Sequence, residues 1–488
     1  MAALVFALTV SALPATQAFA RPFETGIVST DSETQTEPLA MNRMKDAGTR
    51  YLKVAAFWSN IAPSRDSPDK PPSFDATDPG HPGYNWSAID TAVREAAAAG
   101  LEPLLTVTDS PRWARQPGCT EQPICYPDPQ EYADFATAIA RRYSGSFDPG
   151  NGVLPRVRYW QAWVEPNLVI FFLPQFENGQ KVSPDNYRRL LNAFSGAVKA
   201  VDPSNRVLMA GLAPLKRPGG LGPLDFTRRL LCMQGRKKPK PEPGCDQSAR
   251  FDIAATHPYT TGGPTHKAAG ADDVSLGNLP LMTKLIRAAN RAGKIQTDGG
   301  VVPFWVTEFS WDSKPPDPGG LKSKLHARWM AESFFRMWKA GVSAVLWFGL
   351  RDQARGEKIG DTAQSGLYLR GSSIAKDKAK RSLKSFRFPF VALRKGRKIL
   401  VWGRTPDSGP GKVRVEQNSG SGFRKIATLK ANSDGIFTRK VRSGETTGKV
   451  RAKLLGGSKS LPFSLKYVKD FYVPPFGGKG QTPNTGVG

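Results

Sequence analysis

The sequence predicts an α/β protein: a (β/α)8 barrel of the TIM type followed by a small C-terminal β-sandwich. Three observations carry that expectation. Eight short apolar runs alternate with helix-period segments between Phe23 and Phe390. Several helical segments end in glycine just before the next run, the usual mark of a helix C-terminus. After Phe390 the texture changes to short, partly alternating runs split by Gly, Ser, Asn and Asp.

The expected barrel strands are FETGIVST (23–30), YLKVAAFW (51–58), LEPLLTVTD (101–109) and VRYWQAWVE (157–165), then RVLMAGLA (206–213), FDIAATHPY (251–259), PFWVTEFSW (303–311) and VSAVLWFGL (342–350). Amphipathic stretches such as NWSAIDTAVREAAAAG (85–100), YADFATAIARRYSG (132–145) and LHARWMAESFFRMWKAG (325–341) lie between them. Strands apolar on both faces and separated by helices imply a parallel sheet covered on both sides. Eight such units suit a barrel with long loops. An open doubly wound sheet would carry a Gly-rich phosphate turn after its first strand, and IVSTDSETQ has none. Beyond the joint FRFPF (386–390), runs such as KILVWGRT, KVRVEQNS and IFTRKVRS read as sandwich strands.

The first twenty residues carry no charge and end in Ala-Phe-Ala, which reads as a signal peptide and hence secretion. The expected division is a signal peptide at 1–20, the barrel at 21–390, a basic β-sandwich at 391–473 and a flexible tail at 474–488. If its interface with the barrel is modest, a cut after Phe390 is expected to leave the barrel folded. No run is apolar enough to span a bilayer. Four cysteines fall into two short-range pairs, Cys119 with Cys125 and Cys232 with Cys245, as expected for loop-pinning disulfides in an oxidising compartment. Neither pair has zinc-ligand spacing, so no metal and no cofactor are expected.

The formal charge is +27, and from Val391 onward there are 20 Lys and Arg against 5 Asp and Glu. Such a surface attracts anionic partners through a field that salt screens. No nucleic-acid-binding motif accompanies it. Two readings stand: a solubilising face, or adhesion to an anionic cell-envelope polymer. The chain is read as a monomer.

Function in a barrel of this kind sits at the C-terminal ends of the strands. Two glutamates stand there: Glu165 ends the fourth strand, in WVEPN, and Glu308 lies near the end of the seventh, in WVTEFSW. Paired carboxyls across a glycosidic bond are the machinery of glycoside hydrolysis, one protonating the leaving oxygen and the other attacking or activating water. Trp58, Trp163 and Trp311 beside these strand ends, with Asn167, are candidates to line a sugar cleft.

The order of these pieces resembles the large clan of retaining glycoside hydrolases, similar to the cellulase-type family 5 and the xylosidase/iduronidase-type family 39. The resemblance covers nearly the whole barrel: AAFWSNIAP, TVTDSPRWA, WVEPN, THPY, WVTEFSW and LWFGLRD follow strands two, three, four, six, seven and eight. It implies Glu165 as acid/base and Glu308 as nucleophile. It also implies Tyr259 donating a hydrogen bond to the nucleophile, Trp347 as the floor under the cleaved sugar, and a carbohydrate substrate. His257 would line the same pocket, or equally be a buried turn histidine. Two positions depart from the family pattern: Val164 stands where an Asn usually holds the sugar 2-hydroxyl, and Lys53 where an Arg usually faces the nucleophile. A non-catalytic carbohydrate-binding barrel is the alternative these departures favour.

Overall fold

The computed structural model describes residues 21–118, 125–354, 356 and 362–473. The expected signal peptide, the tail and Cys119 lie outside the described residues. Eight parallel strands form one sheet: β1 Glu24–Val28, β2 Tyr51–Phe57, β3 Glu102–Thr108, β4 Tyr159–Ala162, β5 Arg206–Leu208, β6 Ala254–Thr256, β7 Phe304–Phe309 and β8 Val342–Phe348. The sheet runs in the order β6-β7-β8-β1-β2-β3-β4-β5. A parallel bridge between Leu208 and Ile253 brings its two edges together into a barrel. Every expected barrel strand is present, most of them trimmed at the ends.

Each strand is followed by a helix: α1 Pro38–Asp46, α2 Ser87–Ala98, α3 Pro129–Arg142, α4 Ser183–Val201, α5 Pro223–Leu230, α6 Leu279–Arg291, α7 Ser323–Ala340 and α8 Arg381–Arg387. Local chemistry sets their ends. Asp128 caps α3 by accepting from the amides of Gln130 and Glu131, with Pro129 in the first turn. Gly341 ends α7 at φ +101, a left-handed conformation that glycine adopts without a Cβ clash. No helix among the described residues is long and apolar enough to cross a membrane.

The barrel interior is layered. Val28, Tyr51, Leu104, Tyr159, Leu208, Ile253, Trp305 and Leu346 fill its lower part as a closed apolar cluster. Toward the C-terminal ends of the strands the inward positions turn polar: Lys53, Thr106, Gln161 and Thr307 are all buried. That change of chemistry, at fixed strand parity, prepares the site above it.

The C-terminal part has seven strands: β9 Phe390–Lys395, β10 Lys398–Arg404, β11 Gly411–Asn418, β12 Arg424–Ala431, β13 Ile436–Arg442, β14 Lys449–Leu454 and β15 Phe463–Ser464. They form two antiparallel sheets, β9-β10-β13 and β12-β11-β14-β15. Strand β9 begins inside the segment expected to be a joint. The contact between sandwich and barrel is extensive and apolar. Trp402 on β10 packs on Phe23, Phe335 and Trp338 of the barrel, with ring centroids 5.7–5.9 Å apart. The buried Arg404 guanidinium donates to the Phe23 carbonyl at 3.1 Å and the Thr25 hydroxyl at 3.0 Å. Barrel and sandwich share one continuous apolar core. A cut after Phe390 would bare those rings and the two barrel acceptors. The expected Cys232–Cys245 disulfide is formed, with its Cα atoms 5.5 Å apart.

Candidate active site

Strand β4 ends at Ala162, and the next residues leave it by a strained turn. Trp163 sits at φ +72 and Glu165 at φ +39, both in the left-handed region that side chains other than glycine rarely occupy. Each such residue costs about 1–3 kcal/mol and persists only where its surroundings over-determine it. Here they do. The Trp163 amide donates to the Val107 carbonyl at 2.9 Å, and the Glu165 amide to the Gly211 carbonyl at 3.0 Å. Asn167, fully buried, donates to the carbonyls of Ala213 and Leu221 and accepts from the Ala213 amide. Asn167 is thus a clamp on this turn and the loop after β5, with no polar atom left for a ligand.

Strand β7 delivers its glutamate differently. Strict alternation from the inward Trp305 would turn Glu308 outward. Between Val306 and Phe309 the register against β8 slips, so three steps along β7 match two along β8. Such a bulge re-aims a side chain. Thr307 and Glu308 both face the barrel axis, and Phe309 resumes the outward shell with Trp347.

The two carboxylates meet over the polar layer. Glu165, His257 and Glu308 each bring a ligand atom to within 4.8 Å of the others. His257 Nδ1 lies 2.7 Å from Glu165 Oε1 and 3.7 Å from Glu308 Oε2, and its Nε2 lies 3.0 Å from Thr307 Oγ1. Gln161 Nε2 donates to the Met209 carbonyl at 3.1 Å and to Thr307 Oγ1 at 3.2 Å. His257 thus bridges Glu165 and Thr307 through its two ring nitrogens. One glutamate oxygen is thereby held and the other left to the mouth.

Lys53 donates to Glu308 Oε1 at 2.8 Å, and Tyr259 Oη lies 3.5 Å from Oε2. Burial pushes the Glu308 carboxyl up. The charges of His257 and Lys53, with the Lys53 and Tyr259 hydrogen bonds, outweigh it and hold the group below the ordinary glutamate range. Burial, then the Glu308 charge, pushes the Tyr259 phenol well up, which keeps it a donor. The Glu308 side chain is 16% exposed and that of Glu165 7%. A substrate would therefore reach Glu308 first. The same three donors could hold a metal ion by spacing, but the Lys53 ammonium already sits on one of them, and its charge opposes a cation there.

The tryptophans expected to line a cleft are elsewhere. Trp58 packs on Trp113, Tyr132 and Phe135, and Trp163 on Tyr132 and Phe172. Trp311 and Trp347 donate to the Gly262 and Ser365 carbonyls and lie in the shell between strands and helices. Trp347 is 0% exposed and stands against His326 and Phe334 of α7, so it offers no face to a sugar. The reason is parity: on β2 and β8 the inward residues are Lys53 and Phe57, and Leu346 and Phe348. Phe57, at the end of β2, is 47% exposed and is the apolar ring the strand presents at the mouth.

Sequence reasoning also passed over Gly211, Gln161, Thr307 and Arg217. A Cβ on Gly211 would stand 2.0 Å from His257 Nε2, so only glycine lets the imidazole take its place. Burial lowers the guanidinium of Arg217, on the loop after β5, and the charges of Glu165 and Asp273 offset part of that shift.

No protein-family model and no curated protein matches the sequence. The structure is similar to a family 39 glycoside hydrolase from the gut symbiont Bacteroides cellulosilyticus WH2, with a TM-score of 0.52, 16% identity, and coverage of 87% of this chain and 82% of that one. It also matches a monomeric beta-xylosidase from Caulobacter crescentus CB15 (TM-score 0.48, 16% identity, covering 87% and 95% of the two chains). A glucosidase from Croceicoccus marinus matches with a TM-score of 0.47 and 15% identity, over 86% and 93%. The first of these likenesses establishes the fold, a (β/α)8 barrel with C-terminal antiparallel sheets.

Proposed function

We propose that the protein is a secreted retaining glycoside hydrolase that cleaves O-glycosidic bonds in a polysaccharide or glycoside by double displacement. The observation that carries the reading is the pair of glutamates at the ends of β4 and β7, with carboxylate oxygens within 4.8 Å. Retaining enzymes hold their carboxyls about 5–5.5 Å apart, and inverting ones about 6.5–9.5 Å. Glu308, held ionised by Lys53, attacks the anomeric carbon. Glu165 gives its proton to the leaving oxygen, then takes one from the water that releases the sugar. His257 holds Glu165 by one oxygen, and Tyr259 steadies Glu308. Phe57 offers the sugar an apolar face. No metal or cofactor has a part in these steps.

Val164 and Lys53, in place of the Asn and Arg of the family pattern, favour a second reading, a carbohydrate-binding barrel without turnover. A panel of aryl glycosides separates the two. The glycosidase reading expects turnover that Glu308→Ala abolishes. It expects Glu165→Ala to spare the glycosylation of substrates with good leaving groups, which need little protonation. Full activity in both variants would refute the assignment, and glycan binding with no turnover in the wild type would establish the second reading.

A further inference from the structure

We propose that a basic groove along helices α6 and α7, remote from the paired glutamates, binds an acidic polysaccharide. Between the two helices lies a cleft of about 680 Å³, closed at one end by the loop after β6. Six cations line it, Lys267, Lys284, Arg287, Arg291, Arg336 and Lys339, and no acidic side chain does.

Folding does not account for this concentration. Lys284, Arg287 and Arg291 follow at three- and four-residue steps and share one face of α6, while Arg336 and Lys339 share a face of α7. Like charges so spaced destabilise a helix. Arg291 and Lys339 stand in last turns, where the helix dipole favours a cation. That explanation does not extend to Arg287 in mid-helix or to Lys267 in a loop, while Lys284 in mid-helix donates to the Lys237 carbonyl at 2.6 Å. Among the described residues Arg336 pairs with Glu332 at 2.7 Å, and no such pair is formed by the other five. Arg287 also stands close enough to Arg21 for its charge, after burial, to lower that guanidinium.

The groove continues. A second cleft of about 720 Å³ shares Pro264, Thr265 and Arg336 with the first and passes between α7 and the sandwich. There the sandwich adds Arg394, Lys395, Lys449 and Lys466, so that cations outnumber the two acidic side chains of this cleft, Glu332 and Asp470. The C-terminal charge excess and the barrel cations therefore face one extended trough, shaped for a polymer rather than a small anion. No aromatic ring lines the first cleft, and Trp329 and Tyr467 line the second, where flat apolar faces suit sugar rings as well as bases. The loop that carries Pro264 and Lys267 begins just after Tyr259, which joins the edge of the trough to the rim of the barrel. The trough's charge is independent of the glycosidase reading, on which the choice of a polysaccharide rests.

The test uses the full chain carrying Glu308→Gln, so that no polymer is consumed, with polygalacturonate as probe and a neutral β-glucan as control. Lys284→Glu/Arg287→Glu/Arg291→Glu reverses the trough. Lys412→Glu/Arg424→Glu/Lys430→Glu makes the same charge change on β11 and β12, outside both clefts. The expected result is polygalacturonate binding that weakens at least about tenfold between roughly 0.05 M and 0.5 M NaCl. The trough variant should lose about tenfold or more at low salt, and the control variant less than about twofold, with matched melting temperatures. Equal losses in the two triple variants, or no binding of polygalacturonate, would overturn the proposal. Tighter binding of duplex DNA than of polygalacturonate through the same residues would overturn it too. Turnover of aryl glycosides, measured separately on the wild type, keeps failure of the site reading distinct from failure of the trough.

Discussion

Strands β4 and β7 each deliver a glutamate to the mouth of the barrel, and they solve the problem in different ways. On β4 the chain leaves the sheet through two left-handed residues, Trp163 and Glu165, and the turn is held by its neighbours: the Val107 and Gly211 carbonyls and the buried Asn167. On β7 the chain stays in the sheet and slips its register by one residue against β8. The first carboxylate is thus placed by strain that other segments contain, the second by the ladder itself and by the Lys53 charge. Damage to the loop after β5 should therefore reach Glu165 before Glu308, and loss of charge should do the reverse.

The largest effect expected from breaking this asymmetry is that of Gly211→Ala. The new Cβ would stand 2.0 Å from His257 Nε2, so the imidazole or the loop must move. Glu165 loses its positioned imidazole partner, and its amide's acceptor shifts. A misplacement on the order of 1 Å costs catalysis on the order of 10²-fold. The loss should fall mainly on substrates with poor leaving groups, which need the acid. An equal loss on activated and unactivated substrates would show that the β5 loop does not act through Glu165.

Lys53→Met attacks the other side. Removing a hydrogen bond to a charged group costs about 1.5–3 kcal/mol, roughly tenfold or more in rate. The sign of its pH effect follows from the ionised form that Glu308 needs as nucleophile. Lys53 holds that carboxyl down. Without it the carboxyl titrates higher, and the acid limb of the kcat/KM profile moves to higher pH. Lys53→Arg should restore most of the profile. An unmoved acid limb in Lys53→Met would mean that Glu308 is not the group whose ionisation limits the reaction.

Much of this plan was legible in the sequence, and its gaps have physical causes. Eight apolar runs separated by amphipathic segments suffice for a barrel, because parallel strands covered on both sides need apolar residues at every position. Glu165 and Glu308 were legible as charges stranded among bulky apolar residues at strand ends. The bulge in β7 was not, because it is a property of two strands in register. The tryptophans misled by their size. Their parity was available: counting in twos from Lys53 turns Phe57 inward and Trp58 outward, and counting from Leu346 turns Trp347 outward. His257 could have been a turn residue by sequence; only the approach of Gly211 and Thr307 from other strands makes it the bridge. The basic sandwich was legible, but the trough stayed hidden because its barrel cations come from a loop and two helices that only folding brings beside it.

The smallest effect sharpens the β4 side. Val164 lies half-buried between the two left-handed residues. A hydrogen bond to the sugar 2-hydroxyl that strengthens in the transition state supplies part of several kcal/mol in related chemistry, and valine cannot make it. Val164→Asn should raise kcat/KM a few-fold on 2-hydroxyl glycosides and leave matched 2-deoxy substrates unchanged. An equal change on both would show that residue 164 does not face the 2-position.

The central claim, that Glu308 is the nucleophile of a double displacement, is tested most directly by trapping. The protein is incubated with 2,4-dinitrophenyl 2-deoxy-2-fluoro glycosides of pentoses, hexoses and uronic acids, and the adduct is located by peptide mass mapping. The account predicts one sugar bound covalently per chain, on the peptide that contains Glu308, and no adduct in Glu308→Gln. A sugar attached to any other residue, or turnover retained in Glu308→Gln, would contradict it.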